Sequence, residues 1–322
     1  METSTTNCEK SLHGYDADFF LGSSSKRYFG TGFKKTEHSF LNLRKEEGNL
    51  FADLVVNWPE IWAEKKGGNV TPHIGTLDFF LASVILVEEY FSIVREISIK
   101  QMNHMWISDF ICKTGNKCIE QNILSCSCKL ISEEYNSSKT IFVFEIKIED
   151  TYVSLNIDFP NSLKTMYYES PQLLEQRTYY SRGYKFADRR ISNIKVDFNR
   201  KSITADYTLR HQDNLAYCGI GAEYMPCITL CDLILTAGQL TQILLYSLDG
   251  TSREGSSNLW MRKIHCSYKR PIVVDPEVLI EIKKSNNINM KGEMYHCSDL
   301  RFDFNNGDLI ADCSSAYKPF IK

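Results

Sequence analysis

Met225-Pro-Cys-Ile-Thr-Leu-Cys-Asp232 introduces a long apolar segment, and Thr71-Pro-His-Ile-Gly-Thr-Leu-Asp78 introduces an earlier one. The prolines of the two stretches are 154 residues apart (226 − 72), and so are their aspartates (232 − 78). An aspartate that opens an apolar helix is unusual, so two at one fixed offset indicate a duplicated unit. The stretches predict two buried helices, over residues 77–97 and 229–248.

The composition is that of a globular protein. The chain has 322 residues, which is enough for about two domains. It is 43% hydrophobic and 12% aromatic, and this supplies the apolar surface that packed cores need. The formal net charge is −3, whereas proteins dominated by nucleic-acid binding normally carry a basic surface. We therefore expect no nucleic-acid partner.

Neither a signal peptide nor a membrane span is predicted. The first ten residues have no basic segment followed by an apolar one. The most apolar run, residues 79–87, is too short to cross a bilayer, and the run 233–246 is interrupted by threonine and glutamine. The eleven cysteines are an odd number scattered along the chain, which indicates reduced thiols and a cytoplasmic location.

No metal or cofactor site is predicted. The chain contains no Cys-x-x-Cys motif. His265-Cys266 and His296-Cys297 are the nearest approach to a ligand set, but they lack the closely spaced ligand pair of structural zinc sites. The glycines at 30 and 32 are not followed by the Gly-Lys-Ser/Thr of a phosphate loop.

The order of predicted elements is the same in both halves. Each half has a β-hairpin, a glycine-containing loop, one apolar helix and three or four further strands. A long helix wrapped by one curved antiparallel sheet is the hot-dog architecture, so the predicted fold is α+β with two hot-dog units in tandem. The predicted divisions are a flexible N-terminal arm over 1–26, a first unit over 27–160, a connector over 161–182 and a second unit over 183–322.

Residues 217–232, together with Gln239, resemble the active segment of hot-dog β-hydroxyacyl thioester dehydratases. In that family a Met-Pro turn, here Met225-Pro226, leads into the central helix, and an acidic residue lies in its first turns. The family's catalytic histidine lies fourteen residues before the acid. This chain has Cys218 (232 − 14) and Glu64 (78 − 14) at those positions, which disfavours dehydration.

The whole chain resembles the avirulence protein D family of bacterial proteins. The features that carry this resemblance are the opening Arg27-Tyr-Phe-Gly-Thr-Gly-Phe-Lys-Lys35, the length and the two aspartate stretches. The resemblance implies an enzyme that makes acyl-sugar signals of the syringolide type. The implied reaction joins a β-ketoacyl thioester, carried by coenzyme A or an acyl carrier protein, to a sugar-like hydroxyketone. Synthases of γ-butyrolactone signals catalyse a similar reaction, since they join such a thioester to a phosphorylated triose.

Asp78 and Asp232 are the main catalytic candidates. The dipole of a helix stabilises a carboxylate near its N-terminus by about 0.3–1 kcal/mol, while burial raises the pKa of that carboxylate. A carboxylate whose pKa is set by these two opposing effects is suited to act as a general base. It could take a proton from a sugar hydroxyl, or from the acidic methylene of a β-ketoacyl group. The simpler alternative is that both aspartates only accept hydrogen bonds from backbone N–H groups at the helix start.

Further candidates lie in the loops before the two helices. His73, Cys218 and Glu223 are candidate catalytic side chains, and the backbone N–H groups at Gly75 or Cys227 are candidate donors to a thioester oxyanion. The remaining candidate substrate-binding positions are Glu64, Gly219, Gly221 and Met225. Because paired hot-dog units build each site across their interface, we expect Asp78 to meet loop 218–223 and Asp232 to meet loop 64–73.

Three functions stay open at this stage. The first is the acyl-sugar synthase, the second a dehydratase or thioesterase, and the third a catalytically silent protein that binds an acyl ligand. The cysteine at position 218 separates the first from a dehydratase, which would have a histidine there. The duplicated organisation predicts either a monomer with two pseudo-symmetric halves or a homodimer.

Overall fold

The computed structural model describes residues 14–115, 117–163, 178–212, 216–290 and 292–319. The helices in these residues are α1 (Ala17–Leu21), α2 (Thr76–Ile93), α3 (Ile99–Met102) and α4 (Leu230–Leu248). The strands before residue 164 are β1 (Glu37–Glu46), β2 (Asn49–Asn57), β3 (Glu64–Lys65), β4 (Gly68–Asn69), β5 (Trp106–Lys113), β6 (Ile123–Tyr135), β7 (Lys139–Ile148) and β8 (Thr151–Pro160). The later strands are β9 (Asp188–Asp197), β10 (Ser202–Arg210), β11 (Trp260–Tyr268), β12 (Glu277–Met290), β13 (Glu293–Phe304) and β14 (Leu309–Tyr317).

One antiparallel sheet dominates the described structure. Its strand order is β1-β2-β6-β7-β8-β5-β11-β14-β13-β12-β10-β9, while β3 and β4 form a separate hairpin. Six strands of this sheet come before residue 164, and six come after it. The order of the first six, counted from one edge, matches the order of the later six, counted from the other edge. The two sets join where β5 pairs with β11, for example at Cys112 and Ile264. This confirms the predicted α+β class with a large antiparallel sheet.

The two long helices are buried, as predicted. α2 packs on the strands of the first set and α4 on those of the second, and the two helices touch each other. Phe80, Val84 and Phe91 of α2 have no solvent exposure, because that segment is apolar nearly all round. α4 is long and apolar enough to cross a membrane, but 89% of its apolar window is buried in the fold, as in the core helix of a soluble protein.

One local prediction was wrong. α2 ends at Ile93 rather than near residue 97, and residues 99–102 form a separate short helix, α3. Ser98 and Gln101 explain this helix, since they form a capping box that starts a helical turn.

The N-terminal region is more structured than predicted. Residues 1–13 of the expected flexible arm lie outside the described residues. After them, Asp16 caps α1, and α1 packs against α4 with Leu21 buried. Residues 164–177 of the expected connector also lie outside the described part of the chain, whereas Tyr179 and Tyr180 are buried in the core.

A repeated turn ties the two halves together. Residues 27–38 and 178–189 are offset by 151 (178 − 27), and each segment contains a 3-10 turn, at Gly32–Lys35 and Gly183–Phe186. Their lysines exchange hydrogen bonds, because Lys34 Nζ donates to the Ala187 carbonyl at 2.9 Å and Lys185 Nζ donates to the Thr36 carbonyl at 2.6 Å.

Replacing the better-buried lysine of this exchange should destabilise the fold. The Lys185 side chain is 8% exposed and also pairs with Glu37 at 2.7 Å, whereas the Lys34 side chain is 29% exposed. Lys185→Met should lower the free energy of unfolding by about 1.5–3 kcal/mol, since it removes charge-assisted bonds. Lys34→Met, the matched control, should cost less than half of that in urea titrations. Equal losses of stability in the two variants would contradict the inference that the more buried lysine contributes more to stability.

Candidate functional site

A cleft opens between the start of α2 and the middle of α4. The start of α2 lines the cleft with Gly75, Thr76 and Phe79. The middle of α4 lines it with Gly238, Gln239, Gln242 and Tyr246. The cleft therefore combines the start of one long helix with the side of the other, as expected for a site built across the two halves.

Aromatic rings form one wall of this cleft. Tyr28 and Trp62 are stacked with their centroids 4.7 Å apart. The His73 ring lies 4.7 Å from Trp62 and 5.7 Å from Trp260. Such a wall offers flat apolar surface to a ligand, and His73 adds an imidazole to it.

All the charged residues that line the cleft are cations. They are Arg27, Lys65, Lys117, Arg253 and Arg262. The chain as a whole is acidic, with a net charge of −3, so this grouping is local. A concave site lined by one sign of charge concentrates ligands of the opposite sign, and the cleft is therefore suited to an anionic ligand.

Arg27 has donor capacity left over. Its side chain is 4% exposed, Nη1 donates to Gln239 Oε1 at 2.6 Å, and Nη2 bonds to Asp18. Its Nε has no hydrogen-bond partner among the described residues. Nearby, burial and the charge of Arg253 lower the pKa of Lys65 to about 8. An anion in the cleft would relieve this crowding of positive charge.

The hydrogen bond of His73 determines its tautomer. Nδ1 lies 3.1 Å from the Thr71 carbonyl oxygen, which only accepts, so Nδ1 carries the proton. In the neutral ring Nε2 then has a free lone pair. A neutral His73 is thus a candidate general base in the cleft.

Asp78 lies behind the cleft rather than in it. It is fully buried and accepts hydrogen bonds from the Gly75 N–H at 2.8 Å and the Tyr28 hydroxyl at 2.7 Å, with His38 Nε2 at 3.0 Å. Tyr28 and Gly75 connect it to the cleft lining. The Gly75 N–H, one of the predicted oxyanion donors, donates to Asp78 in this structure. The N–H of Thr76, in the first helical turn, has no intrahelical partner.

Asp232 is a buried ion-pair residue. Its carboxylate accepts from Arg189 Nε at 2.6 Å, from the Tyr207 hydroxyl at 2.9 Å, and from the backbone and hydroxyl of Thr229 at 2.8 and 2.6 Å. Burial alone would raise its pKa, but the charge of Arg189 and the bonds from Thr229 outweigh this and hold the pKa of Asp232 below its usual value. This geometry matches the simpler alternative, in which the aspartate caps the helix.

The loop before α4 closes the counterpart of the cleft. Thr178, offset by 151 from Arg27, donates to Glu88 at 2.6 Å, and the Ile220 N–H donates to the other Glu88 oxygen at 2.8 Å. Glu88 is offset by 154 from Gln242 (242 − 88), and burial raises its pKa to about 8. A Cβ at Gly219 would lie 2.3 Å from Glu88, so the glycine permits this close packing. The space beside Arg27 is therefore an open cleft, whereas the equivalent space beside Thr178 is filled by protein.

The other predicted residues of this loop lie away from the open cleft. Burial and the charge of Glu88 raise the pKa of Cys218 to about 11, so the thiol is protonated and unsuited to act as a base. Glu223 is exposed, and its N–H donates to the Asn103 carbonyl at 3.0 Å. Gly221 has a left-handed backbone with φ 82° and starts a 3-10 turn.

The remaining predicted binding residues are also separated from the cleft. Met225 and Cys227 line a different depression, together with His211 and Val273. Burial raises the pKa of Cys227, and the next N–H, that of Ile228, donates to Ile272. Glu64 pairs with Lys26 at 3.0 Å near the cleft rim.

The expected cross-pairing is therefore only partly seen. Loop 218–223 does reach α2, but at Glu88 rather than at Asp78. Loop 64–73 lines the same cleft as α4, which contributes Gly238 to Tyr246 and not Asp232. The structure gathers His73 and Gly75 in the cleft and leaves the predicted residues of the second half outside it.

Sequence reasoning missed Arg27, Tyr28 and Arg189 as site or support residues. A signal was present, because Gly32-Phe-Lys34 and Gly183-Tyr-Lys185 repeat at an offset of 151. This offset differs from the 154 of the aspartate stretches, and the residues at 27 and 178 differ in type.

The described residues contain no group of three or more His, Cys, Asp or Glu side chains placed to hold a metal ion. Every cysteine in the same part of the chain is a free thiol. Fold and site thus define an α+β protein with two helices on one large sheet and an aromatic, cation-lined ligand cleft. The chain belongs to the family of the Pseudomonas avirulence D protein (AvrD), which matches residues 10–318. No curated protein matches this chain in sequence.

Several solved structures are distantly similar. The 12:0-ACP thioesterase from Umbellularia californica is 7% identical with a TM-score of 0.46, and the similarity covers 84% of this chain and 94% of that one. An acyl-ACP thioesterase from Bacteroides thetaiotaomicron is 12% identical with a TM-score of 0.43, over 84% and 98%. An acyl-CoA thioesterase II from Mycobacterium marinum is 10% identical with a TM-score of 0.40, over 87% and 95%.

The two aspartates should differ in their contribution to stability. Asp232→Asn leaves the guanidinium of Arg189 buried without its anion and should cost about 3–5 kcal/mol. Asp78→Asn should cost only about 1–2 kcal/mol, because its partner His38 is an imidazole rather than a permanently charged guanidinium. Urea titrations at pH 7 measure both costs, and equal costs would contradict the assignment.

The contribution of Asp232 should also depend on pH. Because its pKa is lowered on folding, its stabilisation is present above the pKa of the unfolded chain, about 3.9, and is lost as the pH falls further. The stability difference between the wild-type protein and Asp232→Asn should therefore shrink below about pH 4. A difference that stays constant down to pH 2.5 would contradict a lowered pKa.

Proposed function

We propose that this chain is a tandem hot-dog enzyme that joins a β-ketoacyl thioester to a hydroxyl of a sugar-like hydroxyketone, giving an acyl-sugar of the syringolide type. Membership of the avirulence protein D family supports an enzyme of this kind. The observation that carries the proposal is the cleft, where charged lining groups of one sign adjoin His73 and the start of α2.

The cations would hold the anionic part of the acyl donor. Coenzyme A and carrier-bound phosphopantetheine both carry phosphate, and guanidinium groups bind phosphate in a bidentate manner. Arg27 is suited to this role because its side chain lines the cleft and bonds to Gln239 on the opposite side. Apolar lining residues such as Leu21, Ile74 and Phe79 would receive the acyl chain.

The chemistry proposed for this cleft is acyl transfer with a histidine base. Nε2 of His73 would take the proton of the sugar hydroxyl as its oxygen attacks the thioester carbonyl. The negative charge that develops on the carbonyl oxygen would face the Thr76 N–H at the start of α2, where the helix dipole also favours it. The C–S bond then breaks, and the proton from His73 leaves with the thiol.

In this proposal the two aspartates act at a distance from the substrate. Asp78 would orient the Tyr28 hydroxyl, whose pKa is raised well above its usual value by burial and by the charge of Asp78, so Tyr28 stays a neutral donor. Asp232 would hold the start of α4 through Arg189. The proposed enzyme works in the cytoplasm as a single chain with one open cleft.

The test is a product assay with matched histidine variants. The protein is incubated with β-ketoacyl thioesters and a panel of ketoses, and the products are followed by mass spectrometry. His73→Gln should lower kcat by a factor on the order of 10²–10⁴ without loss of stability, because the base is removed. His265→Gln is the control, since that ring is half-exposed and pairs with Asp109 outside the cleft.

Other outcomes of the same assay would contradict the proposal. Release of free β-keto acid at the same rate with and without ketose would identify a thioesterase, and loss of water from a hydroxyacyl thioester would identify a dehydratase. Tight binding of the thioester without any turnover would identify an acyl-binding protein. Unchanged product formation by His73→Gln would refute the assigned base.

A further inference from the structure

A second cluster of reactive side chains lies at the C-terminal end of α4, outside the cleft. Ser285 is on β12, His296 is on the neighbouring strand β13, and Asp249 is the residue that caps the end of α4. Nε2 of His296 lies 2.5 Å from the Ser285 hydroxyl oxygen. Nδ1 of the same ring lies 2.6 Å from a carboxylate oxygen of Asp249. Three separate elements thus place a hydroxyl, an imidazole and a carboxylate in line.

The carboxylate determines the state of the histidine. Burial alone would raise the pKa of Asp249, but hydrogen bonds from His296 and Tyr317 outweigh it and lower that pKa, so the group is an anion at neutral pH. An anion only accepts, so Nδ1 of His296 carries a proton, and Nε2 faces the Ser285 hydroxyl. The Tyr317 ring also stacks on the imidazole at 5.5 Å and holds its orientation.

The serine is accessible while its partners are sheltered. Ser285 is exposed, whereas the His296 and Asp249 side chains are 15% and 24% exposed. The cluster borders a shallow depression that is also lined by Asn287, Met294 and other residues. A hydroxyl at the open end of a sheltered imidazole–carboxylate pair can react with the carbonyl of a molecule that approaches from solvent.

An amide donor lies on the same face of the sheet. Asn287 is directly opposite His296 in the strand register, and Ser285 is two residues before it. Opposed residues and alternate residues of paired strands share a face, so Asn287 and Ser285 lie on one face with their Cα atoms about 7 Å apart. A carbonyl bound between them would have the Asn287 amide as a donor to its oxygen.

We propose that Ser285, His296 and Asp249 form a second catalytic site, which hydrolyses small carboxylic esters. The Ser285 oxygen attacks the ester carbonyl while His296 takes the hydroxyl proton, and the ester C–O bond breaks as that proton passes to the leaving alcohol. Water then attacks the acyl-serine and gives its proton to His296. The acid departs as its bond to the serine oxygen breaks, and His296 returns the proton to Ser285.

The depression indicates the class of substrate. It is shallow and open, with asparagines on the strand beside Met294 and Pro319, so it suits short acyl groups whose alcohol part stays in solvent. The site does not depend on the acyl-transfer function proposed for the cleft.

Covalent labelling tests this site directly. The intact protein is treated with a fluorophosphonate, which phosphonylates activated serine hydroxyls, and the labelled residue is located by peptide mass spectrometry. We expect one label, on Ser285, and none in Ser285→Ala. Ser314→Ala is the matched control, because the Ser314 hydroxyl bonds to the carboxylate of Asp299 at 2.7 Å without an intervening histidine. That variant should be labelled like the wild-type protein.

Hydrolysis of p-nitrophenyl acetate provides the second readout. Ser285→Ala should lower the rate at least about 100-fold with an unchanged melting temperature, since this side chain is exposed. Ser314→Ala should hydrolyse the ester at the wild-type rate, because Ser314 bonds to Asp299 and belongs to neither site. Absence of label on Ser285 in the wild-type protein, or hydrolysis that survives Ser285→Ala, would overturn the proposal. The cluster would then only fasten β12 and β13 to the end of α4.

Discussion

A buried carboxylate at the start of each long helix is the interaction on which the rest of the structure depends. Asp232 meets Arg189 at 2.6 Å, and Asp78 meets His38 at 3.0 Å. Both partners follow the repeated turn, so each pair fastens an edge strand of the sheet to the helix beneath it. An uncompensated charge at such depth costs several kcal/mol, and the pairs therefore fix where each helix begins. The position of the cleft follows, because its floor is the first turn of α2.

The duplicated unit has diverged at the position of the cleft. In the open copy Arg27 bonds to Gln239 on the opposite helix, and its charge favours an anion in the space beside it. In the other copy the equivalent position is Thr178, whose short side chain lets Glu88 and the backbone of Ile220 close in. Replacing a long cation by a small hydroxyl thus removes the reason for an anion to bind and fills the space with protein. One chain therefore carries one ligand cleft of this type in its described part.

The helices and the large sheet were predictable because their signals are local. The apolar runs after Asp78 and Asp232 predict buried helices, and alternation of apolar residues predicts strands such as β2, whose burial alternates along its length. The contact between Arg27 and Gln239 was not predictable, since 212 residues separate them. The aspartates were correctly placed at the helix starts. Their full burial depends on Tyr28, Arg189 and Tyr207, which the sequence patterns did not bring together.

The substrate is proposed to bind in the cleft beside His73 and Gln239. A crystal structure of the protein with a non-hydrolysable β-ketoacyl pantetheine phosphate tests this position. We expect electron density with the phosphate within hydrogen-bond distance of Arg27 and the acyl carbonyl beside Thr76. Density instead in the depression at Met225 and Cys227 would contradict it.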